Sequence, residues 1–270
     1  MSFRKRTLTA FVLLTIFFLV IQFMPLFGFF IVLQILILVS LFEFYNLFSA
    51  KKIYPHKTLG IALALIISSS FYFKEISLEL ALFVALLVAG LYFLIYYNTL
   101  EKLVSFHSSV ALTFFGAFYL SFTLNFFYLL MEERGPFYIY FLLVVIIVGD
   151  TGAYLFGSLW GRRKMAPIAS PRKTWEGSIA GILTACLGAL AAQQVLLPDT
   201  VLWKVILCGF LVHAVAQISD PLESLFKRAV GVKDSSNILP GHGGFLDRVD
   251  SLILAAPFSI FFLNIFGNKF

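Results

Sequence analysis

The sequence predicts an all-α polytopic membrane protein of about nine transmembrane helices, with the N-terminus cytoplasmic and the C-terminus outside. Three observations carry this. The 270 residues are 60% hydrophobic and only 13% charged, with a mean hydropathy of +0.95; a soluble domain is about half apolar and about a quarter charged. The apolar residues come in unbroken runs of about 20, enough to cross a bilayer as a helix, and lack the alternation that a transmembrane β-barrel needs. The basic residues collect at alternate ends of those runs, as the positive-inside rule requires.

The run Leu8–Met24 follows Arg4, Lys5 and Arg6. This start resembles a signal peptide, but no small-x-small cleavage site follows and another run opens at once, so it reads as a retained helix. Leu26–Phe48 comes next, followed by Lys51, Lys52 and Lys57. Thr58–Phe73 is short for a span. Leu78–Tyr97 precedes Lys102, and Ser109–Met131 precedes Arg134. Phe137–Gly157 leads into a loop, 158–174, that holds Arg162, Arg163, Lys164, Arg172 and Lys173. Trp175–Leu197 repeats Gly177, Gly181, Ala185, Gly188 and Ala192 at helical spacing, a small-residue face suited to close packing in lipid. Val201–Ser219 leads into a second loop, 220–248, with Lys227, Arg228, Lys233 and Arg248, and Val249–Phe266 closes the set.

Of the 20 Lys and Arg, only Lys74, Arg134, Lys204 and Lys269 fall on the side opposite the rest. Adding or dropping one span would scramble that alternation. Residues 1–136 are nearly free of charge within their spans and read as scaffold or lipid-facing helices. From Gly149 onward acids, bases and glycines concentrate on the cytoplasmic side, so 137–270 reads as the catalytic region. No internal repeat is apparent, which weighs against a transporter. The net charge of +6 reports topology, and the bases are placed to meet anionic headgroups or phosphates rather than nucleic acid. Cys186 and Cys208 lie in apolar runs without a CxxC pattern and read as buried small hydrophobes.

Four clusters could carry chemistry. In "VVIIVGDTGAYLFG", Asp150 sits at membrane depth, where an ionisable group is expensive and marks function unless a neighbouring base pairs it structurally. In "GRRKMAPIASPRKTWEGS", Thr174 is placed to N-cap a helix whose exposed N–H groups, with Ser170 and Lys173 beside them, suit a phosphate. The competing reading of Arg162, Arg163 and Lys164 is ordinary loop charge. In "SDPLESLFKRAVG", Asp220 with Glu223 resembles a capping box, and Pro221 the first turn of a new helix. Yet Asp220, Glu223, Ser224 and Lys227 also share one helical face that could hold a metal ion and a phosphate. These residues alone do not choose between the two.

The fourth cluster is "KDSSNILPGHGGFLDRVD", Lys233–Asp250. Its glycines, Gly243 and Gly244 among them, can turn successive N–H groups toward an anion. Asp247 and Asp250, three apart at the entrance to an apolar run, offer hard oxygen ligands suited to Mg²⁺, or else one caps the helix and the other pairs with a loop base. His242 has no second His or Cys with which to make a zinc set. Glu43 and Asn46, at the cytoplasmic end of the run Leu26–Phe48, are candidates to join the site that the sequence does not favour. There is no P-loop and no GxSxG elbow.

The stretch "SLFKRAVGVKDSSNILPGHGGFLDRVD" resembles the signature of the CTP:phosphatidate cytidylyltransferases, the CDP-diacylglycerol synthases. Ser224, Lys227, Arg228, Lys233, Asp234, Pro240, His242, Gly243, Gly244, Asp247, Arg248 and Asp250 fall where that pattern wants them. "GDTGAYLFG", "SPRKTWEG" and "SDPLES" are similar to the same family, while the earlier runs match only in being apolar and numerous. The resemblance implies an integral enzyme of the bacterial inner membrane, its site facing the cytoplasm. It would join CTP and phosphatidic acid into CDP-diacylglycerol and pyrophosphate, with Mg²⁺, a possible second cation and a homodimer.

On the same resemblance Asp220, Lys227, Asp247 and Asp250 are the expected catalytic residues. Asp220 and Asp247 would anchor Mg²⁺, with Asp250 and Asp150 close by. Lys227, Arg228 and Lys173 would offset phosphate charge. Ser170, Thr174, Glu223, Ser224, Lys233, His242, Gly243, Gly244 and Arg248 would complete the substrate contacts. A CTP-dependent polyprenol or phytol kinase would use similar parts but release CDP. An anion transporter would use them without catalysis.

Overall fold

The computed structural model describes residues 3–266, without the side chains of residues 3–6, 8 and 10. Lys269 and the side chains of Arg4, Lys5 and Arg6, used above for topology, lie outside what is described. The chain is helical almost throughout, as lipid demands of a backbone with no water to bond. Among the described residues seven helical stretches are long and apolar enough to span a membrane, two of them, Phe106–Arg134 and Leu246–Phe266, each joining two of the α-helices named below. The runs expected at Leu8–Met24 and Thr58–Phe73 form helices too, but their apolar parts, Phe11–Phe23 and Lys57–Tyr72, are shorter.

The helices are α1 (Phe3–Phe23), α2 (Leu26–Leu47), α3 (Lys57–Tyr72), α4 (Leu78–Tyr96), the short α5 (Leu100–Leu103), α6 (Phe106–Ala117), α7 (Phe126–Arg134) and α8 (Pro136–Trp160). A hairpin, β1 (Lys164–Ala166) and β2 (Ser170–Thr174), precedes α9 (Trp175–Leu196), α10 (Leu202–Ala229), the single turn α11 (Leu246–Val249) and α12 (Leu252–Phe266). They form two compact units: Met1–Tyr128 with Asp234–Arg248, and Leu129–Lys233 with Val249–Phe270.

In the first unit α2 is the centre. Ile37, Leu41, Phe44 and Tyr45 are fully buried, and the Tyr45 hydroxyl donates to the Thr113 carbonyl at 2.7 Å. Polar side chains tie the helices where apolar contact alone gives little specificity. Gln34 donates to Asn125 and Asn125 to Ser68, each at 2.8 Å. Ser77 caps α4 by accepting from Leu80 N at 3.2 Å. That helix buries the narrow stripe Ala81, Ala85, Ala89 and Phe93 and leaves Leu80, Phe83, Leu86, Leu91 and Leu94 exposed, a lipid-facing pattern.

In the second unit α9 is the hub. Its small face, Gly177, Gly181, Ala185, Gly188 and Ala192, is buried, while Ile179, Leu183, Leu187 and Val195 point outward. A Cβ on Gly181 would stand 2.8 Å from both Ala153 Cβ and Gln217 Nε2, and one on Gly188 3.0 Å from Val148. Small residues thus set how closely α8 and α10 approach.

Three local expectations are corrected. The loop 158–174 contains an antiparallel hairpin, with Lys164 opposite Thr174 and Ala166 opposite Ser170. Asp220 caps no helix: α10 runs unbroken from Leu202 through Asp220 and Pro221 to Ala229. The loop before α11 is shorter to match. The helix expected from Val249 is interrupted, because α11 ends at Val249 and α12 restarts at Leu252. Asp247 and Asp250 therefore do not stand on one continuous helix.

Candidate active site

The continuity of α10 decides the geometry of the second unit. With no break at Pro221, Asp220, Glu223, Ser224 and Lys227 recur at i, i+3, i+4 and i+7 and lie on one face. The Ser224 hydroxyl donates to Asp220 Oδ1 at 3.3 Å, and Lys227 pairs with Glu223 at 2.5 Å. That pair is buried, at 7% and 0% side-chain exposure. Lys173, delivered by β2, reaches Asp220 Oδ2 at 2.8 Å, half-exposed.

Two more acids complete the cluster. Asp150 on α8 lies within Coulombic reach of Lys173 and Asp220. Asp250, in the turn before α12, lies within reach of Asp220, Glu223 and Lys227. Its Oδ1 accepts from Ser251 N at 2.7 Å, and its backbone carbonyl accepts from the Ser219 hydroxyl of α10, which itself accepts from Leu254 N at 3.3 Å. Asp150, Asp220, Glu223 and Asp250 thus outnumber Lys173 and Lys227.

An excess of negative charge in a partly buried cluster is costly unless a cation offsets it. Among the described residues no three of His, Cys, Asp and Glu form a ready metal cage. Mg²⁺ does not need one, since it is held by one or two carboxylates together with waters and substrate phosphates. The donors present, carboxylate oxygens beside lysines that can meet phosphate, fit that ion.

Other expected contacts are occupied locally. Thr174 Oγ1 accepts from Gly177 N at 3.2 Å, the N-cap of α9. Glu176 accepts from Arg162 N at 3.0 Å and Arg163 N at 3.1 Å, fastening the hairpin to that helix. Ser170 opens β2 half-buried. Arg228 donates to the carbonyls of Ala169 at 3.3 Å and Val232 at 2.9 Å. Lys233 is exposed.

The first unit holds the signature loop. Asp247 Oδ2 accepts from Ser235 N at 2.8 Å, Ser235 Oγ at 2.9 Å and Gly244 N at 2.8 Å. The Gly244 N–H is thus committed to a carboxylate. Gly243 has φ +79, and a Cβ there would stand 2.5 Å from Asp247 Oδ2, so glycine is required twice over. His242 N donates to the Leu239 carbonyl at 2.9 Å, while its Nδ1 is buried without a hydrogen-bond partner among the described residues. Asp234 and Arg248 are exposed.

Two features escaped the sequence reading. Glu43, buried at 1% exposure, accepts from Ser235 Oγ (3.1 Å), Ser236 Oγ (2.6 Å), Phe245 N (3.2 Å) and Leu246 N (2.9 Å). An acid in an apolar run is visible in sequence, but partners about two hundred residues away are not. In the second unit fully buried His213 lies seven residues before Asp220, with Gln217 between them on the same face. Gln217 Nε2 lies 2.9 Å from His213 Nε2 and 3.0 Å from the Ser178 carbonyl, and Ser178 donates back to Gln217. Gly149 leaves room for the imidazole ring.

Comparison with known proteins follows the same lines. A sequence model of the cytidylyltransferase family matches residues 4–266. A phosphatidate cytidylyltransferase of Bacillus subtilis is 35% identical over 238 residues, covering 85% of this chain and 86% of that protein. Proteins of the same name from Haemophilus influenzae and Staphylococcus epidermidis are 41% and 43% identical over 133 and 126 residues. Those matches cover 48% and 47% of this chain, and only about half of each relative, 46% and 48%.

Proposed function

The chain belongs to the cytidylyltransferase family, and from that premise we propose that it joins CTP to phosphatidic acid, yielding CDP-diacylglycerol and pyrophosphate. The observation that supports this most is the cluster on α8, β2, α10 and the turn before α12: Asp150, Lys173, Asp220, Glu223, Lys227 and Asp250. A phosphatidate oxygen attacks the α-phosphorus of CTP, and the bond to the bridging oxygen of the β-phosphate breaks. The nucleophile is already anionic, so the reaction asks for positioning and charge neutralisation rather than a strong base.

Asp220 and Asp250, with Asp150 beside them, would hold Mg²⁺. That ion, when bound, supplies charge neutralisation on the triphosphate. Ser224 orients Asp220 through its hydrogen bond. Lys173 and Lys227 are the cations placed to offset phosphate charge. Glu223 fixes the direction of Lys227. Asp247, which the resemblance also names as a metal ligand, belongs to the signature loop of the other unit. The lipid tails would stay in the bilayer of a bacterial inner membrane, with the cluster on its cytoplasmic side.

The test is product analysis. Purified protein is incubated with labelled CTP, phosphatidate and Mg²⁺. Pyrophosphate release is the expected outcome. CDP release would assign a lipid kinase, and no turnover would favour transport of an anion.

A further inference from the structure

Among the described residues Glu43 meets no basic side chain. Its partners in the structure are neutral donors: the Ser235 and Ser236 hydroxyls and the Phe245 and Leu246 N–H groups. All come from one segment, so this side chain orders the loop before α11. A buried carboxylate that accepts from neutral donors alone is expensive, and it persists only where the donors are fixed to meet it. The crowding is mutual. A Cβ on Gly244 would stand 2.7 Å from Glu43 Cδ and would also run into the Ser235 hydroxyl. The Ser235 hydroxyl lies between Glu43 Oε2 at 3.1 Å and Asp247 Oδ2 at 2.9 Å. Glu43 and Asp247 thus share one donor.

We infer that Glu43 is a positioning residue: it locks the loop Ser235–Leu246 and, through the Ser235 hydroxyl, sets the orientation of Asp247. The inference rests on the reading of the signature loop as part of the cytidylyl-transfer machinery. Glutamine cannot substitute. Each carboxylate oxygen takes one backbone N–H, Phe245 on Oε1 and Leu246 on Oε2, so either flip of an amide turns its NH₂ group against one of them. Aspartate is one methylene too short to reach the same four donors.

The experiment uses the full chain in detergent with two readouts. Hydrogen exchange at Phe245 and Leu246 is measured in the parent, Glu43→Gln and Ser235→Ala, and kcat and the KM for phosphatidate are measured in the same proteins. Glu43→Gln is expected to speed exchange at both amides and to lower kcat about 10–100-fold, the usual effect of removing a group that orients a functional side chain. Ser235→Ala removes only the shared hydroxyl. It is expected to lower kcat about tenfold or more while leaving the KM for phosphatidate unchanged. It also carries the test should Glu43→Gln not fold. Parent-like exchange in Glu43→Gln, or a parent-like kcat in Ser235→Ala, would overturn the inference. A parent protein that releases no pyrophosphate would instead overturn the proposed function, and the exchange measurement would still decide whether Glu43 locks the loop.

Discussion

Replacing Lys227 by methionine separates a structural role of the α10 cluster from a chemical one. The side chain keeps its length and loses its charge. At 2.5 Å, with an effective dielectric of about 20, the pair with Glu223 has a gross attraction of roughly 7 kcal/mol. Most of that is offset by the cost of desolvating both groups. What a single substitution reads is the penalty of leaving a buried carboxylate without this cation, about 3–5 kcal/mol. For a chain of this size that lowers Tm by about 10 °C. Adding Glu223→Gln removes the orphaned charge, and the double variant should return to within about 1 kcal/mol of the parent or exceed it.

Turnover should not return with it if Lys227 has the proposed role, because the cation to meet the phosphates is still gone. Thermal unfolding in detergent gives the first quantity and pyrophosphate release the second. A double variant that regains both stability and turnover would make Lys227 structural and refute its chemical role. A single variant with the parent Tm would refute the burial of the pair.

Three further predictions follow from other contacts. Gly149→Ala places a Cβ 2.5 Å from His213 Nδ1 and 2.7 Å from Cγ, so the ring or a helix must shift; a loss of about 1–3 kcal/mol is expected in thermal unfolding, with slower turnover because Asp150 is the next residue. Thr174→Ala removes the acceptor of the Gly177 N–H at the start of α9 and should cost about 1 kcal/mol in the same assay, with Thr174→Ser restoring most of it. His56 is buried with its ring nitrogens 3.1 Å from the Tyr92 hydroxyl and 2.8 Å from that of Tyr97, and burial lowers its pKa below the ordinary histidine value. The folded state therefore favours the neutral ring. Its contribution is complete above about pH 6.5 and falls as pH drops from there through the lowered pKa. His56→Phe should flatten the decline of Tm between pH 7 and pH 5.

What the sequence made legible was what is local or periodic. Runs of apolar residues specify helices because a backbone in lipid has no other way to bond its polar groups. The α9 small-residue face shows at helical spacing, and the Thr174 cap can be read because its partner is three residues on. The break at Asp220 was misread for a physical reason. Asp-Pro is the usual grammar of a helix start, but a membrane helix tolerates an interior proline when neighbouring groups satisfy the freed carbonyl. Its continuity strengthens the sequence pattern, since Asp220 and Lys227 then share a face with nothing between them to turn it. Glu43 shows the opposite limit. Its residue type was conspicuous, but its role depends on Ser235 and Leu246, which lie far along the chain. The interruption between Val249 and Leu252 was equally hidden, because the residues on both sides are apolar.

A structure of the protein with Mn²⁺ and a non-reactive CTP analogue locates the metal through the anomalous signal of the ion. The ion is expected against Asp220 and Asp250, with a phosphate oxygen within hydrogen-bond distance of Lys227. An ion and triphosphate bound elsewhere, with no phosphate oxygen near Lys227, would contradict the proposed site.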